Sequence, residues 1–177
     1  VRREAGERLG APVFNMYAST ELGYMALSCP AGGEWLPAAG AGHILEAGPD
    51  GLLCTDLDND LAPRIRYAAG DAGELRQGGC ACGRPGPMLR VLGRAGKFVD
   101  TGGGRLYEAA LIDRVFTSDL PFFELDREAR AVLLPPGAAA SAAGEITERL
   151  DLPRGEWKAA PVPGLRMPPS GKFCYLP

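Results

Sequence analysis

Glycine and proline interrupt the chain so often between residues 42 and 92 that no long helix can form there. The 177 residues include 25 Gly and 16 Pro, which is more than ordinary proteins use. Short apolar runs such as "GLLCTDL" and "MLRVLG" alternate with turn sequences such as "GPDG" and "RPGP". Apolar runs of this length between turn residues are typical of β-strands. The sequence therefore predicts a compact β-rich region of short strands joined by tight turns.

Helical patterns occur on both sides of this β-rich region. Two apolar residues four positions apart and a following Gly10 predict a short helix over 2–9, and an apolar segment predicts a strand at 12–17. Beyond Gly93, the pattern predicts helices near 107–117 and 138–150, with strands near 121–126, 129–134 and 157–162. Helices that alternate with strands after a β-rich half indicate a second, smaller domain.

The predicted fold class is therefore α+β, with the boundary near residue 93. Residues 1–93 are expected to form a β-rich, distorted barrel-like subdomain, and residues 94–177 a small α+β domain. At 177 residues, the chain is long enough to bury the core of one ordinary domain or of two small ones.

Charge and hydropathy exclude several classes of partner. The 19 Lys and Arg residues are balanced by 22 Asp and Glu residues, and no basic block could follow a phosphate backbone, so nucleic acid is not an expected partner. No apolar run is long enough to span a bilayer, and the charged start "VRREAGERLG" differs from a signal peptide. We therefore expect a cytoplasmic protein without a membrane partner. The start at Val1, within a helical pattern, is expected of a fragment or a processed chain.

The five cysteines favour free thiols or metal ligation over disulfides, because their number is odd and no secretory signal is evident. Cys80 and Cys82 form a C-x-C pair in a glycine-rich loop, Cys29 precedes a Pro-containing turn, and His43 is the only histidine. Three thiolates and one imidazole would complete a tetrahedral structural zinc site. The alternative is that the cysteines are buried thiols and that His43 is an ordinary strand residue.

Five motifs in a fixed order give a more specific signal. "NMYASTELGYM" at residues 15–25 reads, taken alone, as a turn or a helix cap. It is followed by "RIRYAAGD", "CACGR", "VLGRAGKFV" and finally "PPSGKF". This series resembles the adenylate-forming superfamily of acyl-CoA ligases and adenylation domains, most closely the phenylacetate-CoA ligase branch. The resemblance covers residues 9–173 and only the carboxy-terminal portion of such enzymes. Relatives in this branch have zinc sites similar to the one considered above.

The resemblance implies roles for the residues of the first motif. Tyr17, Ala18 and Ser19 would contact the nucleotide, the last two as small residues that let the backbone approach the α-phosphate and the acyl carboxylate. Thr20 would donate its hydroxyl to phosphate. Glu21 would bind the Mg²⁺ that accompanies ATP, because this ion prefers oxygen ligands. Alanine at position 18 replaces the family's usual glycine.

The middle motifs supply the expected nucleotide anchors. By resemblance, Asp71 would accept both ribose hydroxyls and Arg94 would contact the nucleotide at a hinge between the two domains. The sequence departs from the family at Ala68 and Ala69, where Arg and Thr are usual, and at Gly96, where the family's hinge acid aligns. The alternative for Asp71 is an ordinary turn residue.

The last motifs belong to the predicted small domain. Lys172 matches the terminal lysine that bridges the acyl carboxylate and the α-phosphate, a task that suits a mobile point charge. Residues 102–104 and the helix after them resemble the loop and helix that line the thiolation face. The alternative for Lys172 is a solvated surface lysine. The alternative for residues 102–104 and the helix after them is a flexible linker followed by an amphipathic helix.

The resemblance implies an ATP-dependent enzyme that activates an aryl or apolar carboxylic acid. It would form an acyl-adenylate and then a thioester with CoA or a carrier-protein thiol. Residues 1–93 would be the last subdomain of the large adenylating domain, and residues 94–177 its lid. The family's phosphate loop and two amino-terminal subdomains have no counterpart in the chain, so we expect it to be inactive alone and to need an amino-terminal half, which is either a separate chain or a missing portion of the same protein. The alternative is a catalytically idle module that binds a partner or a nucleotide.

Overall fold

The computed structural model describes residues 2–39, 42–115, 118–139, 141–165 and 175–176. The chain divides into two compact units, residues 1–95 and residues 96–177. Among the described residues, no helix combines the length and the apolar character needed to cross a membrane.

The first unit contains one α-helix, one short 3-10 helix at Pro30–Gly32 and eight short strands within its described residues. Their bounds are α1 Arg2–Leu9, β1 Met16–Ser19, β2 Gly23–Leu27, β3 Leu36–Pro37, β4 His43–Gly48, β5 Gly51–Asp56, β6 Tyr67–Ala68, β7 Asp71–Arg76 and β8 Met88–Arg94. The predicted helix over 2–9 is present, but it buries none of its residues. The predicted strand at 12–17 begins later, at Met16, because ladder pairing with β2 starts only at the Met16–Leu27 pair.

The strands of the first unit form three open sheets. β1 pairs with β2, β3–β8–β7 form a second sheet, and β4–β5–β6 form a third. The predicted barrel-like arrangement is therefore wrong for the described strands, since a barrel requires one sheet that closes on itself. The antiparallel register of β7 and β8 pairs Asp71 with Arg94. Two of the predicted functional residues thus lie side by side at one end of this strand pair.

The core of the first unit is divided into small clusters. One of them contains four buried apolar residues, with the ring of Tyr17 packed against it: Ala26, Leu36, Leu52 and Leu89. A separate cluster contains Cys29, Cys80 and Met88, with Trp35 packed on it. Burial of each large apolar side chain contributes about 1.5 to 3 kcal/mol. The strands that carry the predicted site residues are fixed by this packing.

The second unit combines a hairpin, a three-stranded sheet and two helices within its described residues. Their bounds are β9 Phe98–Thr101, β10 Gly104–Tyr107, α2 Glu108–Val115, β11 Glu124–Asp126, β12 Ala131–Leu134, α3 Ser141–Arg149 and β13 Lys158–Pro161. β12 pairs antiparallel with β11 and parallel with β13. Parallel neighbours need a crossover, and α3 lies in the connection between β12 and β13.

The helices of the second unit bury apolar residues at helical spacing. Leu111 and Val115 of α2 are four residues apart, and Ala143 and Ile146 of α3 are three apart; all four are buried in one core. The predicted helices and strands of this half are present with somewhat shorter bounds than expected.

Candidate functional site

Tyr17 of β1 and Asp71 of β7 make a direct hydrogen bond. The Tyr17 hydroxyl donates to Asp71 Oδ2 at 2.9 Å. Burial of the Tyr17 ring is the main cause that raises the pKa of its hydroxyl, and the hydrogen bond and negative charge of Asp71 raise this pKa further. The register of β1 and β2 shifts between Tyr17 and Ala18, which marks a β-bulge beside the contact.

Arg94 contacts the same carboxylate from the other side. Its Nη1 lies 3.3 Å from Asp71 Oδ1, and the same atom donates to the Ala69 carbonyl at 3.3 Å. The Asp71 side chain is 17% exposed, whereas that of Arg94 is 65% exposed. The aspartate is therefore held largely inside the unit, and the arginine extends from it towards solvent.

Gly51 allows β5 to approach Asp71 closely. A Cβ atom at Gly51 would lie 2.6 Å from the Asp71 carbonyl oxygen, and its φ of +116° is one that L side chains rarely adopt. A substituted residue would have to displace the backbone at the start of β7. The position of the Asp71 carboxylate thus depends on a glycine that is distant in sequence.

The turn between β1 and β2 carries the remaining residues of the first motif. The Ser19 hydroxyl accepts a hydrogen bond from the Leu22 amide at 3.2 Å, which holds the turn. Ala18, Thr20 and Glu21 are exposed. A phosphate-bearing ligand could therefore reach the Thr20 hydroxyl and the Glu21 carboxylate without displacing a buried group.

Three of the four predicted zinc ligands lie together. The Sγ atoms of Cys29, Cys80 and Cys82 all lie within 4.8 Å of one another, and those of Cys29 and Cys80 are 3.1 Å apart. Cys29 and Cys80 are buried, and Cys82 is exposed. A hydrogen bond with the Arg84 backbone is the main cause that lowers the pKa of the Cys82 thiol, and the neighbouring Cys80 thiol adds to it. The lower pKa of Cys82 favours its thiolate, which is the form that ligates metal. The pKa of the Cys80 thiol is raised: a hydrogen bond with the Cys82 backbone lowers it, but the hydrogen bond with Cys29 and burial outweigh this effect.

The donor set suits zinc. Tetrahedral zinc with bonds of about 2.3 Å to sulfur requires sulfur atoms about 3.8 Å apart, which small side-chain rotations would give here. Zinc prefers thiolate and imidazole ligands. The three thiols therefore fit a zinc ion, with a fourth donor required from outside this group.

His43 is not that fourth donor in the structure, so the predicted ligand set needs correction. The register of β4 and β5 pairs His43 with Asp56. Its Nε2 lies 2.8 Å from the Leu22 carbonyl oxygen, and it is not part of the cysteine group. The position of His43 is set by strand pairing and by this contact, neither of which can be read from its being the only histidine.

Two further predicted features belong to the second unit. Lys172 lies outside the described residues. The glycine loop at 102–104 is described, and it contacts Asp151, a residue that the sequence analysis missed. The signal that could have revealed Asp151 is an aspartate directly after the last turn of a predicted helix, where glycine is usual.

Comparisons with known proteins identify the fold. No protein-family model and no curated protein matches the chain. It is similar to a crystal structure of 2-hydroxyisobutyryl-CoA ligase in the postadenylation state in complex with R3-HIB-AMP, with a TM-score of 0.67 and 16% identity over 91% of this chain and 41% of that chain. A similar structure is O-succinylbenzoate coenzyme A synthetase from Bacillus subtilis in complex with ATP and magnesium ion, with a TM-score of 0.57 and 19% identity over 96% of this chain and 42% of that chain.

The same synthetase in complex with AMP gives a TM-score of 0.58 and 17% identity, over 96% of this chain and 41% of that chain. At these identities the comparisons show a shared fold. The chain thus has a fold found in adenylate-forming acyl-CoA ligases and spans about two fifths of the length of these proteins.

Proposed function

We propose that the chain is the carboxy-terminal portion of an ATP-dependent acid–thiol ligase, which forms an acyl-adenylate and then an acyl thioester. The observation that carries the proposal is the contact of Asp71 with both Tyr17 and Arg94. These three residues come from separate motifs, and each was expected from sequence to contact a nucleotide. If the three residues bind the same ribose, they must lie together, and Tyr17 and Arg94 both contact the Asp71 carboxylate. The shared fold with acyl-CoA ligases supports the same proposal.

Asp71 is the ribose anchor in this proposal. An ionised carboxylate has about four lone-pair positions, two on each oxygen. Tyr17 occupies one position on Oδ2 and Arg94 contacts Oδ1, so each oxygen keeps a position for one ribose hydroxyl. The two protein donors also hold the carboxylate in one orientation. Hydrogen bonds to charged groups contribute about 1.5 to 3 kcal/mol each, so the carboxylate would favour a sugar with both ribose hydroxyls over one that lacks a hydroxyl.

Thr20 and Glu21 are the phosphate contacts in the proposal. Mg²⁺ is commonly held by one or two carboxylates together with substrate phosphates, so the exposed carboxylate of Glu21 fits this ion. The ion, when bound, would neutralise phosphate charge. Thr20 donates a hydroxyl to the phosphate, and the small side chains of Ala18 and Ser19 leave room for it. Lys172, outside the described residues, would bridge the acyl carboxylate and the α-phosphate.

The remaining parts of the site belong to a portion that the chain does not contain. The chain spans about two fifths of the similar ligases, and it has no glycine-rich phosphate loop before Tyr17. The proposed partner is therefore an amino-terminal half that supplies this loop and most of the acid pocket. The proposed acid is aryl or apolar, and the thiol is that of CoA or a carrier protein. Within the superfamily, the motif order favours the phenylacetate-CoA ligase branch, with residues 94–177 as the lid.

A structural zinc ion is part of the proposal. Cys29, Cys80 and Cys82 would hold it and would tie the loop after β7 to the segment after β2. Zinc in such a position would add rigidity to the first unit and would take no part in the reaction.

A second candidate is a catalytically idle module that binds a nucleotide or a partner. The observation that favours it is the substitution at Ala68 and Ala69, beside the Asp71 anchor, where the family carries Arg and Thr. Loss of two polar side chains from a nucleotide site would weaken binding and leave the fold intact.

The deciding experiment measures carboxylate-dependent exchange of labelled pyrophosphate into ATP, with the amino-terminal half supplied. We expect exchange with at least one aryl or apolar acid and its loss in Asp71→Asn. Asp50→Asn, which changes an exposed carboxylate on the turn between β4 and β5, is the matched control and should keep activity. Nucleotide binding without exchange for any acid would support the idle module. Absence of both nucleotide binding and exchange would reject the ligase and the nucleotide-binding module, and would leave only a module that binds another partner.

A further inference from the structure

The end of α3 contains a residue in an unusual backbone conformation. The Leu152 amide donates to the Thr147 carbonyl at 2.9 Å and the Asp151 amide to the Glu148 carbonyl at 3.1 Å, which is the Schellman pattern of a helix end. Asp151 has φ +57° and occupies the position where glycine is usual, because L side chains are disfavoured in this left-handed region. Aspartate enters this region more readily than most L residues, but glycine is still preferred, so the helix end alone does not select an aspartate here.

The charge of Asp151 is also unfavourable for the helix alone. Carboxylates at the carboxy-terminal end of a helix face the negative end of its dipole, so cations are preferred there. Both the backbone conformation and the charge thus disfavour aspartate, and a contact elsewhere must favour it.

That contact is with the loop between β9 and β10. The Gly103 amide donates to Asp151 Oδ2 at 3.1 Å, and the Gly102 amide donates to the Asp151 carbonyl at 3.2 Å. The Thr101 hydroxyl accepts from the Gly103 amide at 3.2 Å and donates to the Gly104 carbonyl at 2.7 Å. Two consecutive amides of the loop therefore point at Asp151.

The glycines allow this approach. A Cβ atom at Gly102 would lie 3.3 Å from Asp151 Oδ2, closer than ordinary contact, so a side chain would push the carboxylate away. The contact of the Gly102 amide uses only the backbone of Asp151, and any residue would keep it. Only the bond to the Gly103 amide requires the carboxylate.

We infer that Asp151 is a positioning residue that fixes the conformation of the glycine loop at 102–104. Its side chain holds the Gly103 amide and its backbone holds the Gly102 amide. Because the Gly102 and Gly103 amides both donate to Asp151, neither is available to bind an anion. The loop instead presents a backbone surface without side chains, held in one shape. The assignment of this loop to the thioester step rests on the proposed function, but the hydrogen bonds do not.

The test measures amide hydrogen exchange by NMR in the full chain, with the Gly103 rate expressed relative to the intrinsic rate of the same amide in an unfolded peptide; exchange of the buried Val132 in β12 is followed separately as the measure of overall stability. In Asp151→Gly, the helix end is relieved of both unfavourable features, so overall stability should stay equal or rise. The relative exchange of Gly103 should nevertheless increase about tenfold, because the carboxylate is lost and only the 3.2 Å contact with the Thr101 hydroxyl remains as an acceptor. Asp151→Asn keeps a side-chain oxygen acceptor and should restore most of the protection.

Arg130→Gly is the matched control, because Arg130 is another exposed residue with a positive φ (+48°) in the same unit, and its side chain pairs with Glu156. It should leave Gly103 exchange unchanged. Unchanged Gly103 exchange in Asp151→Gly would overturn the inference, as would equal increases in the Gly and Asn variants. This test needs no ligase activity. If Gly103 exchange rises in Asp151→Gly but the chain never supports thioester formation, the proposed function is rejected and the positioning role of Asp151 stands.

Discussion

The Tyr17 hydroxyl donates a hydrogen bond at 2.9 Å to the carboxylate of Asp71, a residue 54 positions further along the chain. The bond joins the β1–β2 hairpin to the sheet that contains β7. A two-stranded sheet is marginally stable by itself, so its position depends on contacts of this kind. The same bond therefore serves the fold of the first unit and the orientation of its proposed ribose anchor.

Tyr17→Phe should lower the free energy of unfolding of the first unit by about 1 to 2 kcal/mol, because the mostly buried Asp71 carboxylate loses one of its two side-chain donors. Urea unfolding followed by Trp35 fluorescence in a Trp157→Phe background would report on this unit alone, since Trp157 lies in the second unit. The matched control is Tyr24→Phe, on the adjacent strand, where the side chain is 66% exposed. It should change stability by less than about 0.5 kcal/mol, and equal effects of the two variants would contradict the prediction.

The Tyr17 pKa also predicts how stability depends on alkaline pH. Folding raises this pKa above its ordinary value of 10.0, mainly by burial, so the folded chain keeps a proton that the unfolded chain releases. The contribution of Tyr17 is therefore fully present below pH of about 10 and is lost as the pH rises further. Stability of the wild type should fall more steeply above that pH than stability of Tyr17→Phe. The buried Cys54 thiol, with its pKa raised to about 11, also titrates in this range and its charge raises the Tyr17 pKa further, so both proteins are compared in a Cys54→Ala background. Parallel curves would contradict the prediction.

Local patterns predicted the helices of the second unit well, because burial at spacings of three and four residues is itself a local property. Leu111 and Val115 illustrate this. The start of β1 and the open sheets of the first unit were not predictable in the same way. Strand ends depend on which partner strand is present, and sheet closure depends on pairings between distant segments.

The candidate sites show the same division. Cys80 and Cys82 could be paired from their spacing, whereas Cys29 joins them from 51 residues away from Cys80 and His43 does not join them. The sequence of one motif does not tell how close it lies to another motif in the folded chain. The contact of Asp71 with Tyr17 likewise required the structure, although each residue was singled out from its own motif.

Lys172→Ala should reduce the rate of pyrophosphate exchange by about 100-fold or more, with the amino-terminal half supplied, and should change acid binding little. A charge that stabilises the developing negative charge at phosphorus acts in the transition state more than in the bound ground state. Lys158→Ala is the control, because Lys158 is an exposed lysine on β13 of the same unit. An unchanged exchange rate in Lys172→Ala would remove this residue from the mechanism.

Cys82→Ser should abolish zinc binding while leaving the folded chain without metal almost unchanged. Cys82 is exposed, so exchange of its sulfur for oxygen alters little packing, and the change isolates the role of the thiolate as a ligand. Wild-type protein dialysed against a mild chelator should retain about one zinc ion per chain, with zinc–sulfur distances of about 2.3 Å by X-ray absorption. The melting temperature of the wild type should exceed that of Cys82→Ser by several degrees, since metal that binds only the folded state stabilises it.

His43→Gln should keep its zinc, because His43 contacts Leu22 and is not in the cysteine group. Dialysed wild type that contains no zinc and melts together with Cys82→Ser would show that the three cysteines are packing residues, and loss of zinc in His43→Gln would return the histidine to the ligand set.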